Sequence, residues 1–383
     1  MELTTLVFAT SSCLFESSSN GVVVGLHELT LRNFRLFREY SFEPDPGAVT
    51  VFLSPNGTGK TSVLEAVHAL ATASSFRTSA ASDMIRNNET TAEVHGVIYQ
   101  RERRVQVDLT LTRGTRNTTK RMLVNGQRPG SRAEISEALP LTVFTPEGVD
   151  VVRGGPEHRR NFLTTLLTDV DPLTGDVIER FARVLSQRNA LLRSLEGSRP
   201  SSTQQRELDQ WTSDFCVASD QLLVQRQGLI DELAPLVATS YHELAQNVVD
   251  VGVRYERSWQ GELLRALERT SDDDRYRGYT TVGPHRDDIE LSLEGRDARR
   301  QASQGEQRSL ALALRLAGHE LVRRRRGVDP LLLLDDVFSE LDPVRSDRLL
   351  GLLPAGQTLV TTASPLPSSL TPAAVIDLTG VLS

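Results

Sequence analysis

Val49-Thr50-Val51-Phe52-Leu53-Ser54-Pro55-Asn56-Gly57-Thr58-Gly59-Lys60-Thr61 reads as an apolar strand, a glycine-bearing turn and the start of a helix. Beyond Ser62 the helix carries Val63, Leu64, Val67, Leu70 and Ala71 on one face. The turn from Ser54 to Ser62 is a candidate phosphate cradle. Its glycines let consecutive N–H groups converge on phosphate oxygens, and the helix adds the positive end of its dipole. Lys60 would reach the β- and γ-phosphates, and the Thr61 hydroxyl would stand on a Mg²⁺ ion. The pattern G-x-x-x-x-G-K-[ST] asks for glycine where this chain has Ser54. Serine there would cost roughly 1 kcal/mol if the turn needs a positive φ. The alternative for this stretch is a Gly-rich turn before a helix with no ligand, so the partners further along decide.

The chain has 383 residues, enough for one large or two medium domains. Its net charge is -7, so a nucleic-acid surface would have to be a local patch. Lys60 and Lys120 are the only lysines among many arginines, which makes the lysine of the loop conspicuous. Cys13 and Cys216 form no metal or disulfide pattern, which suggests a reducing cytoplasm. No apolar run is long enough to span a membrane. Residues 1–24 lack Lys and Arg and make no secretory signal. They are expected to be a disordered tail, with the fold starting near Gly25.

Upstream of the cradle, His27 to Arg35 alternates polar and apolar residues as a half-buried strand does. Downstream, Ala92–Val97, Arg104–Leu111 and Lys120–Val124 alternate again, as an antiparallel meander rich in arginine. Each of those charges reads either as a solvated sheet face or as a DNA-facing group. Arg77, just past the cradle helix, reads as solvent-facing or functional on equal terms. Leu141-Thr142-Val143-Phe144 is a buried strand ending in Thr145-Pro146-Glu147. From about Pro156 to Arg269 the period becomes helical. Ile178, Phe181, Leu185, Leu192 and Leu195, then Leu208, Trp211, Phe215, Ala218 and Leu222, predict two antiparallel helices closing a short arm. Pro235 should kink or end one of them. The organisation expected is an ATPase-like lobe over 25–150, an inserted helical arm over 151–278 and the rest of the lobe over 279–383.

The second part supplies further chemistry. Ser303-Gln304-Gly305-Glu306 opens an apolar-periodic helix and suits a capping box, or a γ-phosphate receptor at a positive helix end. Leu331-Leu332-Leu333-Leu334-Asp335-Asp336 is a wholly apolar run ending in two acids, as a strand buried on both faces would be. Asp335 would hold Mg²⁺, and Asp336 would orient or deprotonate the attacking water. Ser339 to Asp342 follows, then Thr358 to Thr362 as a last strand whose polar end could line the γ-phosphate. Val282 to Asp288 is a tight turn crowded with ionisable groups.

These motifs together resemble the RecF family of DNA recombination and repair ATPases, related to the heads of SMC and Rad50 proteins. The resemblance is carried by Leu29 to Arg35, Asn56 to Thr61, Phe144 to Glu147, Gly155 to Leu163, Gly283 to Asp288, the Ser303 motif, and Leu334 to Asp342. It implies an α/β ABC-type P-loop ATPase head of mixed sheets plus helices, with an inserted short helical arm. It further implies two copies closing around two ATP molecules. Ser303, Gln304, Gly305 and Glu306 of one subunit would then complete the site built by Lys60, Thr61, Asp335 and Asp336 of the other, with Asp342 at the boundary. ATP-dependent binding to gapped, single- or double-stranded DNA is implied too, as is delivery of RecA with RecO and RecR. Asp336 is shorter than the glutamate of transporter ATPases, which implies slow hydrolysis. Pro146-Glu147 stands where SMC heads place a Mg²⁺-contacting glutamine, and that role is left unassigned. The alternatives weighed are an ATPase-coupled nuclease of the overcoming-lysogenization type and a transport ATPase subunit.

Overall fold

The structure is a computed structural model describing residues 22–100, 103–195, 200–353 and 356–381. Of the tail expected over residues 1–24, residues 1–21 lie outside the described residues, and 22–24 belong to the first strand, β1 (Val22–Phe34), which begins three residues before Gly25.

The loop-bearing strand β3 (Val49–Leu53) lies inside an all-parallel sheet. Its order is β14 (Ala374–Ile376), β3, β13 (Thr358–Thr362), β12 (Leu331–Asp335), β7 (Leu141–Phe144). Strand β12 is apolar throughout because it has a hydrophobic core on each side. Leu331 and Leu333 belong to one core, Leu332 and Leu334 to the other, and all four are fully buried. Phe52 and Leu359 face the first core, Val51 and Val360 the second.

The first core is closed by helix α1 (Lys60–Thr72) and a second, largely antiparallel sheet. That sheet runs β11 (Val328–Asp329), β1, β4 (Thr91–Gln100), β5 (Arg103–Arg113), β6 (Thr118–Val124), with β2 (Phe37–Phe42) paired to β1. The short helix α2 (Arg132–Ala138) leads from it into β7. The alternating segments of the sequence thus form the meander, apolar side down on α1.

The second core is helical. It contains residues of α3 (Asp150–Arg153), α4 (Pro156–Val170), α5 (Thr174–Ser194), α6 (Ser202–Ala245) and α7 (Leu263–Arg277). A three-stranded sheet of β8 (Val251–Glu256), β9 (Asp288–Leu293) and β10 (Arg296–Asp297) adjoins them. The one-turn helix α8 (Ala298–Gln301) then leads to α9 (Gln304–Arg326) and, after β12, α10 (Pro343–Leu352).

One expectation changes here. Helix α6 is 44 residues long, about 66 Å at the rise of an α-helix, and its partner in the arm, α5, has 21 residues. Pro235 does not end α6, because the helix continues unbroken to Ala245. Leu233, Val237, Tyr241 and Leu244 are buried in the helical core on either side of that proline, and their burial offsets the lost backbone bond.

Candidate nucleotide site

Strand β3 ends where the cradle begins, at the carboxyl edge of the parallel sheet. Gly57 and Gly59 adopt φ of 84° and 91°. A Cβ on Gly59 would also lie 2.7 Å from the Phe37 ring, so backbone conformation and packing both require glycine there. Ser54 is absent from the positive-φ residues, so the strain considered for it does not arise. Its side chain is 4 % exposed and hydrogen-bonded, donating to Asp377 Oδ1 at 2.8 Å and accepting the Leu378 N–H at 2.7 Å.

Lys60 lies on the inner side of the loop, 7 % exposed. Its ammonium donates to the carbonyls of Ser54 at 2.5 Å and Pro55 at 2.8 Å. Burial pulls its pKa down, and the charges of Asp336 and Asp335 pull it back up. Those opposing effects fit a cation waiting for phosphate oxygens beside the two acids.

The acids emerge from β12. Asp335 Oδ1 accepts hydroxyl protons from Thr61 at 2.8 Å and from Thr361 at 2.6 Å. Burial raises the Asp335 pKa, the two threonines lower it, Arg77 lowers it less and Glu147 raises it slightly. Arg77 thus acts on the site electrostatically, although its guanidinium is half exposed and 3.4 Å from Glu65. Glu65 itself is buried on α1 under a two-bond contact with Arg35. Asp336 is turned by a left-handed backbone, φ 49°, and its N–H is held by the carbonyl and hydroxyl of Thr361. One carboxylate oxygen, Oδ1, is buried without a hydrogen-bond partner among the described residues.

The remaining motif residues form a second cluster on the other core. Ser303 caps α9 with a full capping box: its hydroxyl accepts the Glu306 N–H, and the Glu306 carboxylate accepts the Ser303 N–H at 2.7 Å. Arg153 reaches the Gln307 side chain at 2.7 Å and, more weakly, the Gln304 carbonyl. Asp342 caps α10 by accepting the Arg345 N–H, and it also holds the Arg345 guanidinium at 3.1 Å. That guanidinium stands 3.3 Å from where a Cβ on Gly305 would be, so the Ser303 motif and Asp342 share one patch. No hydrogen bond among the described residues joins this patch to Lys60, Thr61, Asp335 or Asp336.

The oxygen donors present suit Mg²⁺. Among the described residues no group of three or more His, Cys, Asp and Glu could hold a metal ion. Mg²⁺ asks for less, taking one or two protein oxygens plus phosphate and water, and Thr61 with Asp335 supplies them. The sequence singles out Thr61 and Asp335 but does not point to Asp377, Arg153 or Arg345. Asp377 lies 323 residues from Ser54 and no local pattern marks it.

The model of the RecF/RecN/SMC N-terminal domain matches residues 25–365. The "DNA replication and repair protein RecF" of Acidothermus cellulolyticus is 36% identical over 352 residues, covering 88% of this chain and 93% of the relative. The protein of the same name from Streptomyces avermitilis is 36% identical over 349 residues, covering 88% and 92%. Among solved structures, the recombination mediator protein RecF with ATP, in the RecFOR pathway, superposes with a TM-score of 0.84. It is 25% identical and covers 93% of this chain and 95% of that one. No described helix is long and apolar enough to cross a membrane.

Proposed function

Because this chain belongs to the RecF family, we propose that it is a DNA-repair ATPase that works as an ATP-closed pair of copies. The observation that carries this reading is the division of one chemistry between two patches of a single chain. Lys60, Thr61, Asp335 and Asp336 gather at the edge of the parallel sheet, while Ser303, Gly305 and Asp342 gather on the helical side. Two copies facing each other bring one patch of each against the other patch of its partner, and ATP fills the gap.

In that site the loop N–H groups and Lys60 bind the phosphates, and the Ser303 end of α9 offers hydrogen-bond donors and a positive dipole to the γ-phosphate from the partner. Thr61 and Asp335 would hold Mg²⁺, which neutralises phosphate charge when bound. Asp336 orients the attacking water and accepts its proton. Thr361 fixes Asp336 by its backbone and Asp335 by its side chain, so the two acids cannot drift apart. Hydrolysis is slow and serves as a timer for residence on DNA, in the cytoplasm and on the nucleoid. Gapped DNA, RecO and RecR are the partners that membership of the family suggests, with RecA loading as the outcome.

The test is light scattering of the full chain with and without Mg-ATP. The wild type should go from monomer to dimer, and Lys60→Ala should stay monomeric; identical behaviour of the two sinks the clamp. Binding to gapped, single-stranded and duplex DNA, with ATP, ADP or neither, reads the second half. Affinity should require ATP and fall steeply with salt. Cleavage of plasmid DNA under the same conditions would favour the nuclease instead.

A further inference from the structure

We propose that the C-terminal segment is a latch on the phosphate loop, with Asp377 and the Leu378 amide holding Ser54 and thereby setting the affinity for ATP. This rests on the ATP-binding reading above. Strand β14 pairs with β3 in parallel, Ile376 opposite Phe52, so the chain leaves β14 beside the point where β3 opens into the loop. There the Ser54 hydroxyl is used twice, as donor to Asp377 Oδ1 at 2.8 Å and as acceptor from the Leu378 N–H at 2.7 Å. The same Asp377 oxygen is steadied by the Thr379 N–H at 2.8 Å and the Thr379 hydroxyl at 2.6 Å. Leu378 is fully buried and anchors the segment in the core beneath α1.

The latch bears on ligand binding through the backbone of Ser54. Its carbonyl accepts the Lys60 ammonium at 2.5 Å, so the residue pinned from the C-terminal side is also the one that positions the phosphate-binding cation. A glycine at this position, which the loop pattern calls for, could make neither side-chain bond. Serine at 54 and aspartate at 377 therefore act as one device, contributed by opposite ends of the chain.

Two measurements on the full-length chain separate the latch from the ATP reading. In the first, hydrogen exchange without nucleotide should be faster at the Ser54 and Leu378 amides in Asp377→Ala than in wild type. Exchange equal to wild type overturns the latch whatever ATP does. In the second, Mg-ATP titration should show binding weakened about three- to tenfold in Asp377→Ala and in Ser54→Gly, the worth of one partly exposed hydrogen bond. The double variant should be no weaker than the weaker single one, and Asp377→Asn, which keeps an acceptor oxygen, should recover most of the loss. Losses that multiply in the double variant, or variants that bind ATP as the wild type does, overturn the link to affinity. A wild type that binds no ATP, with exchange still responding to Asp377→Ala, removes the functional reading and leaves the latch as a structural contact.

Discussion

His319 sits 3 % exposed on α9 behind β7, its Nδ1 3.1 Å from the Thr142 hydroxyl and its Nε2 without a partner among the described residues. Burial pushes its pKa down to about 4. His285 is pushed down to about 4 for the same reason. A histidine whose folded pKa lies below the unfolded value near 6.5 protonates first in the unfolded chain. Its contribution is therefore complete above pH 6.5 and is lost as the pH falls towards 4, at most ~3 kcal/mol for one group. Asp169 opposes this, since burial raises its carboxyl to about 7 and acidification from there favours the fold. Urea denaturation across pH 4 to 7 should show stability falling on the acid side, and His319→Leu should make that fall shallower. A slope identical to wild type would mean that the imidazole is not desolvated. At the same scale, Asp336→Asn keeps the shape of the side chain but cannot take a proton. Turnover should drop roughly 100-fold or more while ATP-bound dimers accumulate; unchanged turnover would remove Asp336 from its role.

Among the elements, the turn from Gly283 to Asp288 explains itself only through the helices that converge on it. Arg159 of α4 makes a two-bond contact with Asp288, Arg160 donates to the Asp287 carbonyl, and Arg226 of α6 donates to the Pro284 carbonyl. Asp287 is held by the Tyr255 hydroxyl and the Ser258 N–H. Nearby, Arg188 of α5 is paired with Asp274 of α7, both side chains essentially buried. The charge crowded into this turn fastens α4, α6 and β8 to the start of β9. Arg188 is also the one polar residue in the apolar heptad pattern of α5, and its partner is the reason it is tolerated inside. Asp274→Ala should destabilise the chain by about 3–5 kcal/mol, because it leaves a buried guanidinium without its counter-charge, only the Thr212 and Thr280 hydroxyls remaining as hydrogen-bond partners among the described residues. Replacing both partners, Arg188→Met with Asp274→Leu, should cost less. Denaturant midpoints decide this, and a double variant worse than the single one would refute it.

At the scale of the molecule, the two half-sites predict that binding and assembly come apart. Ser303→Arg places a bulky cation where α9 should face the partner's γ-phosphate, at a residue that shares no hydrogen-bond partner with Lys60 among the described residues. Mg-ATP should bind this variant as it binds wild type, while sedimentation shows only monomer. A dimer formed normally with ATP would mean that the Ser303 end of α9 is not at the interface. The same scale decides why four consecutive leucines end in two acids. A strand with cores on both faces carries its polar groups at its tip, and that tip is where Thr61, Thr361 and Asp335 meet.

What could be read directly from the sequence is whatever depends on neighbours along the chain. Strand, loop and helix around Lys60, the capping box at Ser303, the meander and the apolar run before Asp335 all have local causes, namely periodicity, glycine at positive φ and helix capping. The order of those motifs was enough to place the chain in its family. Contacts between distant segments were not legible. The acceptance of Ser54, the continuation of α6 past Pro235, the pairing of Arg188 and the proximity of Asp342 to Gly305 each depend on groups brought together by packing. Their cause is tertiary because a buried hydroxyl, proline or charge is tolerated only by the partner or the apolar surface that folding sets against it.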